Sequence, residues 1–270
     1  MSIIRTIAND LTAIRERRPL VHSITNYVVM NVTANATLCI GALPIMAHAD
    51  EEVEELVVVA GALVLNIGTL EPVWVDAMEL AGKRANELGI PVILDPVGAG
   101  TTKLRIESSK RLLQSLDISL VRGNLGEVAS LAGVASEVRG VESISASANA
   151  DEIAQQFASV YGCTVAITGP VDIISDGRRT ATIANGDVML SRVVGTGCMC
   201  DVVVAAFASV QPDPLTAAVG GLTAFGIAGE LAAHISGERP GTFAAEFMNA
   251  LYALDEEAIM ARAKVSLAEA

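Results

Sequence analysis

Short apolar runs alternate along the chain with longer stretches in which apolar residues recur at helical spacing. Ile4, Ile7, Leu11 and Ile14 make the first such stretch, an amphipathic surface helix. "PLVHSI" then reads as a strand and "YVVMNVTANATLCIG" as a helix. "ALVLNIG" is a second strand, and "PVWVDAMELAGKRANELG" the helix after it. Trp74, Met78, Ala81, Ala85 and Leu88 share one face of that helix, with Pro72 near its start and Gly89 just past its end. "PVILDPVGAG" and "ISLVRGN" are further strands, the latter followed by the short helix "LGEVASLAG". "CTVAITGP" and "DIISDG" are strands too, the second closing in an Asp-Gly turn.

Beyond residue 195 the texture becomes helical. Three apolar helices are predicted, from Cys198 to Val210, Pro214 to about Ser236, and Thr242 to about Leu254. The middle one is apolar nearly all round and therefore buried. Alternating strands and helices give parallel strands with right-handed crossovers and helices on both faces. The polar stretch from Glu137 to Ala150 is the one loose loop, and residues 1–270 read as one domain.

Composition narrows the function classes. The chain is 51% hydrophobic but 3% aromatic, so its core is aliphatic and Ala-rich. A net charge of -13 argues against nucleic-acid or anionic-membrane partners. It leaves room for an anionic ligand, since glycine turns and helix N-termini bind phosphate without a basic surface. Charges interrupt the N-terminal apolar stretch, so it is no signal peptide, and the ten-residue run "LVVVAGALVL" is too short to span a bilayer. Cys39, Cys163, Cys198 and Cys200 lack metal-finger spacing and are expected as reduced thiols in the cytoplasm.

Ligands of open parallel sheets sit at the carboxyl ends of the strands. Four strand ends there carry polar or glycine-rich residues: Asp95-Pro96-Val97-Gly98, Arg122-Gly123-Asn124 with Glu127 a turn later, Thr168-Gly169-Pro170, and Gly195-Thr196-Gly197-Cys198. Asp95 and Glu127 could hold Mg²⁺ directly or through water. Each signal alone is ordinary. Asp-Pro is a common turn, Glu127 suits the first turn of a helix as a solvated acid, and Arg122 suits a surface. Their joint placement points to a site. No P-loop motif occurs, and "GAGTTK" lacks the third glycine of a dinucleotide fingerprint.

Gly195-Thr196-Gly197-Cys198 opens a helix, so its free N–H groups and dipole make an anion pocket. The same field is expected to lower the Cys198 thiol pKa. Cys200 points elsewhere and reads as a small buried hydrophobe. Asp201 reads as a first-turn acid or capping partner. His22 and His48 sit near strand ends without metal-ligand spacing, and His234 faces solvent. Asn26 and Met46 follow the first two apolar stretches and could wall a small pocket.

"GTGC" after a β-branched pair resembles the anion turn of ribokinase-like kinases, where Gly-x-Gly-Asp is usual. With "HSITNYVVMNVTANATL", "GALPIM", "LVLNIGTL", "PVILDPVGAG", "VRGNLGEVASLAG", "GELAA" and "RPGTFAAEF", the chain from about Pro19 to Leu254 is similar to the hydroxyethylthiazole kinases. The resemblance implies a three-layer sandwich, a central mostly parallel sheet flanked by helices. It implies phosphorylation of 4-methyl-5-(2-hydroxyethyl)thiazole by ATP and Mg²⁺, yielding a thiazole phosphate for thiamine synthesis. It further implies a homotrimer with active sites between subunits. By motif, Asn26, Met46 and Gly195 would contact the thiazole. Arg122, Thr168, Thr196 and Gly197 would contact ATP, and Asp95 and Glu127 would organise Mg²⁺. Cys198 would stand where sister kinases place a base. Leu43, Cys200 and Asp201 depart from the usual pattern, and Asp201 adds a second acid near the acceptor hydroxyl.

Phosphoryl transfer needs little early deprotonation of the acceptor, so a thiol suffices as a late base or as a group that orients the hydroxyl. Other readings stand beside this one. Hydroxymethylpyrimidine kinase and NAD(P)H-hydrate dehydratase activities share the fold, though the dehydratases usually keep aspartate in the turn. A thiol enzyme would use Cys198 as nucleophile with a nearby histidine, His22 or His48. A nucleotide-binding module without catalysis would leave the Asp95 and Glu127 pair unexplained.

Overall fold

A computed structural model describes residues 2–133 and 150–269. Among the described residues, nine strands form one sheet in the order β2-β1-β3-β4-β5-β6-β7-β8-β9. In chain order they are β1 (Leu20–Ile24), β2 (Leu43–Ile45), β3 (Ala62–Asn66), β4 (Val92–Asp95), β5 (Leu120–Asn124), β6 (Thr164–Thr168), β7 (Asp172–Ser175), β8 (Arg179–Ile183) and β9 (Val265–Glu269). Pairings from β2 to β6 are parallel, and those from β6 to β9 are antiparallel. The expected mostly parallel sheet is present, with an antiparallel extension in which "DIISDG" supplies one arm of a hairpin.

Strand side chains alternate between two apolar layers, as the pleat requires. Val64 faces one core with Val21, Ile93 and Leu120, while Leu63 and Leu65 face the other with Leu94 and Val121. The first layer is covered by α1 (Ile3–Arg17), α2 (Met30–Ile40), α8 (Thr196–Ala208), α9 (Pro214–Ser236), α10 (Pro240–Ala253) and α11 (Glu256–Arg262). The second is covered by α3 (Val53–Val57), α4 (Pro72–Leu88), α5 (Lys103–Ser115), α6 (Leu125–Leu131) and α7 (Ala150–Tyr161). This is the three-layer sandwich expected from the sequence.

The helix α4 starts on Pro72 and ends on Gly89, whose φ of 69° closes it in the left-handed region. Its buried face is Val75, Ala77, Met78, Ala81, Gly82 and Ala85. Leu88 is exposed rather than packed, and Trp74 is half-buried, because the face that meets the sheet centres on Met78 and Ala81. The helix α9 has the length and apolar composition of a membrane span, yet most of it is buried within this fold. The apolar patterning alone does not reveal α5, whose buried face includes Ser108 and Ser109. Of the loop expected over 137–150, Ala150 opens α7 and the rest lies outside the described residues.

Candidate active site

Parallel strands bring their carboxyl ends to one edge. In register, Asn66 of β3 lies opposite Asp95 of β4, and Asn124 of β5 opposite Thr168 of β6. The turn before α8 arrives at the same edge. Gly195 sits there with φ of 87°, a conformation that favours glycine, and a Cβ would come within 2.9 Å of Val29 Cγ1. Gly195 O accepts from Met199 N at 2.8 Å, and Thr196 Oγ1 donates back to Leu190 O at 2.8 Å. The first-turn N–H groups of α8 therefore open onto the edge of the sheet.

Arg122, expected either at a site or on the surface, is nearly buried. It lines a cavity of about 580 Å³ with Thr168, Asp172, Thr196, Gly197 and Phe225. Arg122 Nη2 donates to Thr168 Oγ1 at 3.0 Å, and Nη1 lies 3.5 Å from Asp95 Oδ2 and 3.8 Å from Asp201 Oδ1. Burial works against the guanidinium charge, but Asp201 and Asp95 outweigh it and hold the group firmly protonated. Arg122 Nε is buried without a hydrogen-bond partner among the described residues.

Glu127 is no solvated helix-end acid. Its Oε2 accepts from Asn124 N at 2.8 Å in a capping box, and its Oε1 accepts from Gly98 N at 2.8 Å, tying β5 to the turn after β4. Burial, then the charge of Asp95, raises its carboxyl above the usual range. Asp201 is not a capping acid either. It is fully buried, and its carboxyl is raised well above the usual range by burial and by Asp95, against the pull of Arg122. The helix turns it inward because the face of α8 carrying Asp201 packs on β3 and β4, where its Oδ2 meets Asn66 Nδ2 at 3.2 Å. Its Oδ1 has no hydrogen-bond partner among the described residues. Three carboxylates thus face one guanidinium. Their hard oxygen donors suit a divalent cation such as Mg²⁺.

Cys198 stands on the side of the turn nearer Asn26. Its Sγ lies 3.6 Å from Asn26 Nδ2 and 3.3 Å from Asn66 Nδ2. The expected lowering of its pKa does not occur. Burial, with Asp201 and Asp95 beside it, pushes the thiol up to about 12. The nucleophile reading also lacks its base. His22 Nε2 bonds Ala47 O at 2.9 Å, and His48 Nε2 lies 3.0 Å from both the N and the O of Thr25, so neither imidazole meets the thiol. Cys200 is buried, as expected, and His234 is exposed. Met46 follows the edge strand β2, half-buried, and is not part of the hydrogen-bonded cluster.

Asn66 escaped the sequence reading. It ends "ALVLN" in the way Asp95 ends "VILD", and reading that strand end too would have found it. It is 1% exposed and bonds Asn26, Asp95, Cys198 and Asp201. Ligand atoms of Asp95, Cys198 and Asp201 lie within 4.8 Å of one another, but the Asn66 amide bonds all three and fills that triangle.

The sheet order and the glycine turn into α8 define a ribokinase-like kinase fold. Pyridoxal kinase from Staphylococcus aureus, solved in complex with AMP-PCP and pyridoxal, shares it with a TM-score of 0.64 at 14% identity, over 93% of this chain and 99% of that one. A sequence profile of the Hydroxyethylthiazole kinase family matches residues 11–257, and the chain belongs to that family. It is 53% identical to the hydroxyethylthiazole kinase of Desulfatibacillum aliphaticivorans over 93% of this chain and 94% of the relative. It is 50% identical to that of Roseiflexus castenholzii over 98% of both. The solved hydroxyethylthiazole kinase protein of Pyrococcus horikoshii OT3 matches with a TM-score of 0.91 at 44% identity, over 98% of this chain and all of that one.

Proposed function

We propose that the chain transfers the γ-phosphoryl group of ATP to the hydroxyl of 4-methyl-5-(2-hydroxyethyl)thiazole. The observation that carries this reading is the position of the Gly195–Cys198 turn. On one side lies the cavity with Arg122 and Thr168, and on the other lie Cys198 Sγ and Asn26. A phosphate held on the first and a hydroxyl held on the second meet at the free N–H groups of α8.

In this reading Arg122 and Thr168 bind the nucleotide phosphates, and Thr196 and Gly197 hold the moving group through their backbone N–H. Asn26, Met46 and Gly195 wall the acceptor. Asp95 and Glu127 hold Mg²⁺, with Asp201 buried behind them. Mg²⁺, when bound, supplies neutralisation of the phosphate charge. Cys198 remains a thiol through the physiological range and orients the acceptor hydroxyl, and the base reading gives way to the orienting one. Membership in the family disfavours the pyrimidine kinase and dehydratase alternatives.

Residues 1–270 act as one kinase domain of the cytoplasm, and three copies form the working unit with acceptor sites between subunits. Supporting the trimer, Val28 and Val194 beside the acceptor turn are 63% and 73% exposed. A solution mass three times that of one chain is expected by light scattering, and a monomer mass would overturn it. The function is tested by ATP consumption over a panel of hydroxyalkyl thiazoles, pyrimidines and pyridines, with and without Mg²⁺. Turnover of hydroxyethylthiazole that requires Mg²⁺ is expected. Turnover confined to a pyrimidine alcohol would overturn the substrate.

A further inference from the structure

The Asn66 side chain has one orientation only. Its Oδ1 faces two donors, Asn26 Nδ2 at 2.8 Å and Gly68 N at 3.0 Å. Its Nδ2 faces three acceptors, Asp95 Oδ2 at 2.9 Å, Asp201 Oδ2 at 3.2 Å and Cys198 Sγ at 3.3 Å. Turning the amide over would set donor against donor at two contacts and an oxygen against two carboxylates. The backbone fixes the pivot as well, since Asn66 is paired with Asp95 across β3 and β4.

An amide nitrogen carries two hydrogens, so three acceptors compete for them. Asp95 makes the shortest bond. The second hydrogen is shared between Asp201 and Cys198, and either can take it as the other turns away. Asn26, which also reaches Cys198 Sγ, is held in turn by Asn66 Oδ1. Among the described residues, the Asn66 amide thus links the carboxylate side of the cluster directly to the acceptor side.

We infer that Asn66 is a positioning residue, which holds Cys198 Sγ in place for the acceptor hydroxyl and uses Asp201 as the alternate acceptor of its amide hydrogen. The inference rests on the kinase reading above and adds to it a residue that acts through Cys198 rather than on substrate. It also gives a purpose to the buried Asp201, which otherwise only crowds Asp95.

The test is a double-mutant cycle with hydroxyethylthiazole and ATP on the full chain, using Asn66→Ala, Cys198→Ala and the pair. Loss of positioning by Asn66→Ala is expected to lower kcat about 100-fold in the wild-type background, with the KM for ATP within about twofold. In the Cys198→Ala background the same change should cost less than about threefold, because the group it positions is gone. A general structural role would cost the same factor in both backgrounds, and that result overturns the inference while wild-type turnover keeps the function standing. Absence of wild-type turnover overturns both. If Asn66→Ala does not fold, Asn66→Ser replaces it in the same cycle, with the same pair of outcomes.

Discussion

Gly197 lies directly against the guanidinium of Arg122. A Cβ built on Gly197 would sit 2.9 Å from Nη1 and 3.2 Å from Nη2. The turn and the arginine are thus fitted to each other, and no side chain larger than hydrogen leaves Arg122 on Thr168. Gly197→Ala is expected to swing Arg122 off Thr168 Oγ1 and raise the KM for ATP about tenfold, because a ground-state contact is lost. The melting temperature should hardly change. Initial-rate kinetics over an ATP series check this, and an unchanged KM would mean that Arg122 does not meet the nucleotide.

Cys198 should behave as an unreactive thiol. With its pKa pushed up to about 12 by burial and by Asp201 and Asp95, the thiolate fraction at pH 8 is about 10⁻⁴, far below that of free cysteine. In metal-free, nucleotide-free protein, iodoacetamide should leave the Cys198 peptide unmodified at pH 8, with the rate still climbing at pH 10. Peptide mass mapping reads this directly. A plateau below pH 8 would restore the activation by the helix dipole that the sequence suggested.

Much of this edge is legible in the sequence alone. Asp95, Arg122, Thr168 and the Gly195–Cys198 turn each follow an apolar run, and parallel strands must bring such ends together. What the sequence concealed depends on partners far along the chain. The dipole at Cys198 is local and visible, whereas Asp95, which helps to push the thiol up, arrives from β4. Asp201 looks like an ordinary first-turn acid until the packing of α8 on β3 and β4 buries it. The helix α5 was hidden because serines 108 and 109 occupy its inner face, and with it went Arg105.

Asp172 should tilt the dependence of stability on pH. It is buried at the start of β7, where burial lifts its carboxyl to about 6 against the pull of the Gly169 N–H and Arg122. A raised folded-state pKa means that the native state holds the proton more tightly. The stability from this group is therefore complete below about pH 4 and is lost as pH rises through about 6, by about 3 kcal/mol. Asp172→Asn keeps an oxygen for Gly169 N, now 3.0 Å from Oδ1, and removes the titration. The variant should gain on the wild type as pH climbs from 4 to 6 and keep a constant lead above that. Melting curves across this range check it, and parallel curves would show that Asp172 is solvated.

Arg105 clamps the two loops that follow Asn66 and Asp95. Its Nη1 donates to Ile67 O at 3.0 Å and to Val97 O at 2.6 Å, and its Nη2 donates to Gly68 O. Thr102 caps the first turn of α5 from which Arg105 projects, accepting Arg105 N at 3.3 Å. Three carbonyls from two loops thus converge on one planar fork, a geometry that a lysine ammonium on a flexible stem does not reproduce. Arg105→Lys keeps the charge and loses the fork. At about 1.5–3 kcal/mol for a charged hydrogen bond to a partly buried carbonyl, losing one of them should cost about 1.5–3 kcal/mol. That corresponds to a fall in melting temperature of about 3–12 °C for a chain of this size. The loops that slacken are the ones leading away from Asn66 and Asp95, so kcat should fall more than the KM for ATP, which the proposed phosphate contacts of Arg122 and Thr168 would set from β5 and β6. Calorimetry and initial rates on the same preparation check both halves. A variant that melts with the wild type would show that the loops hold their shape without the clamp.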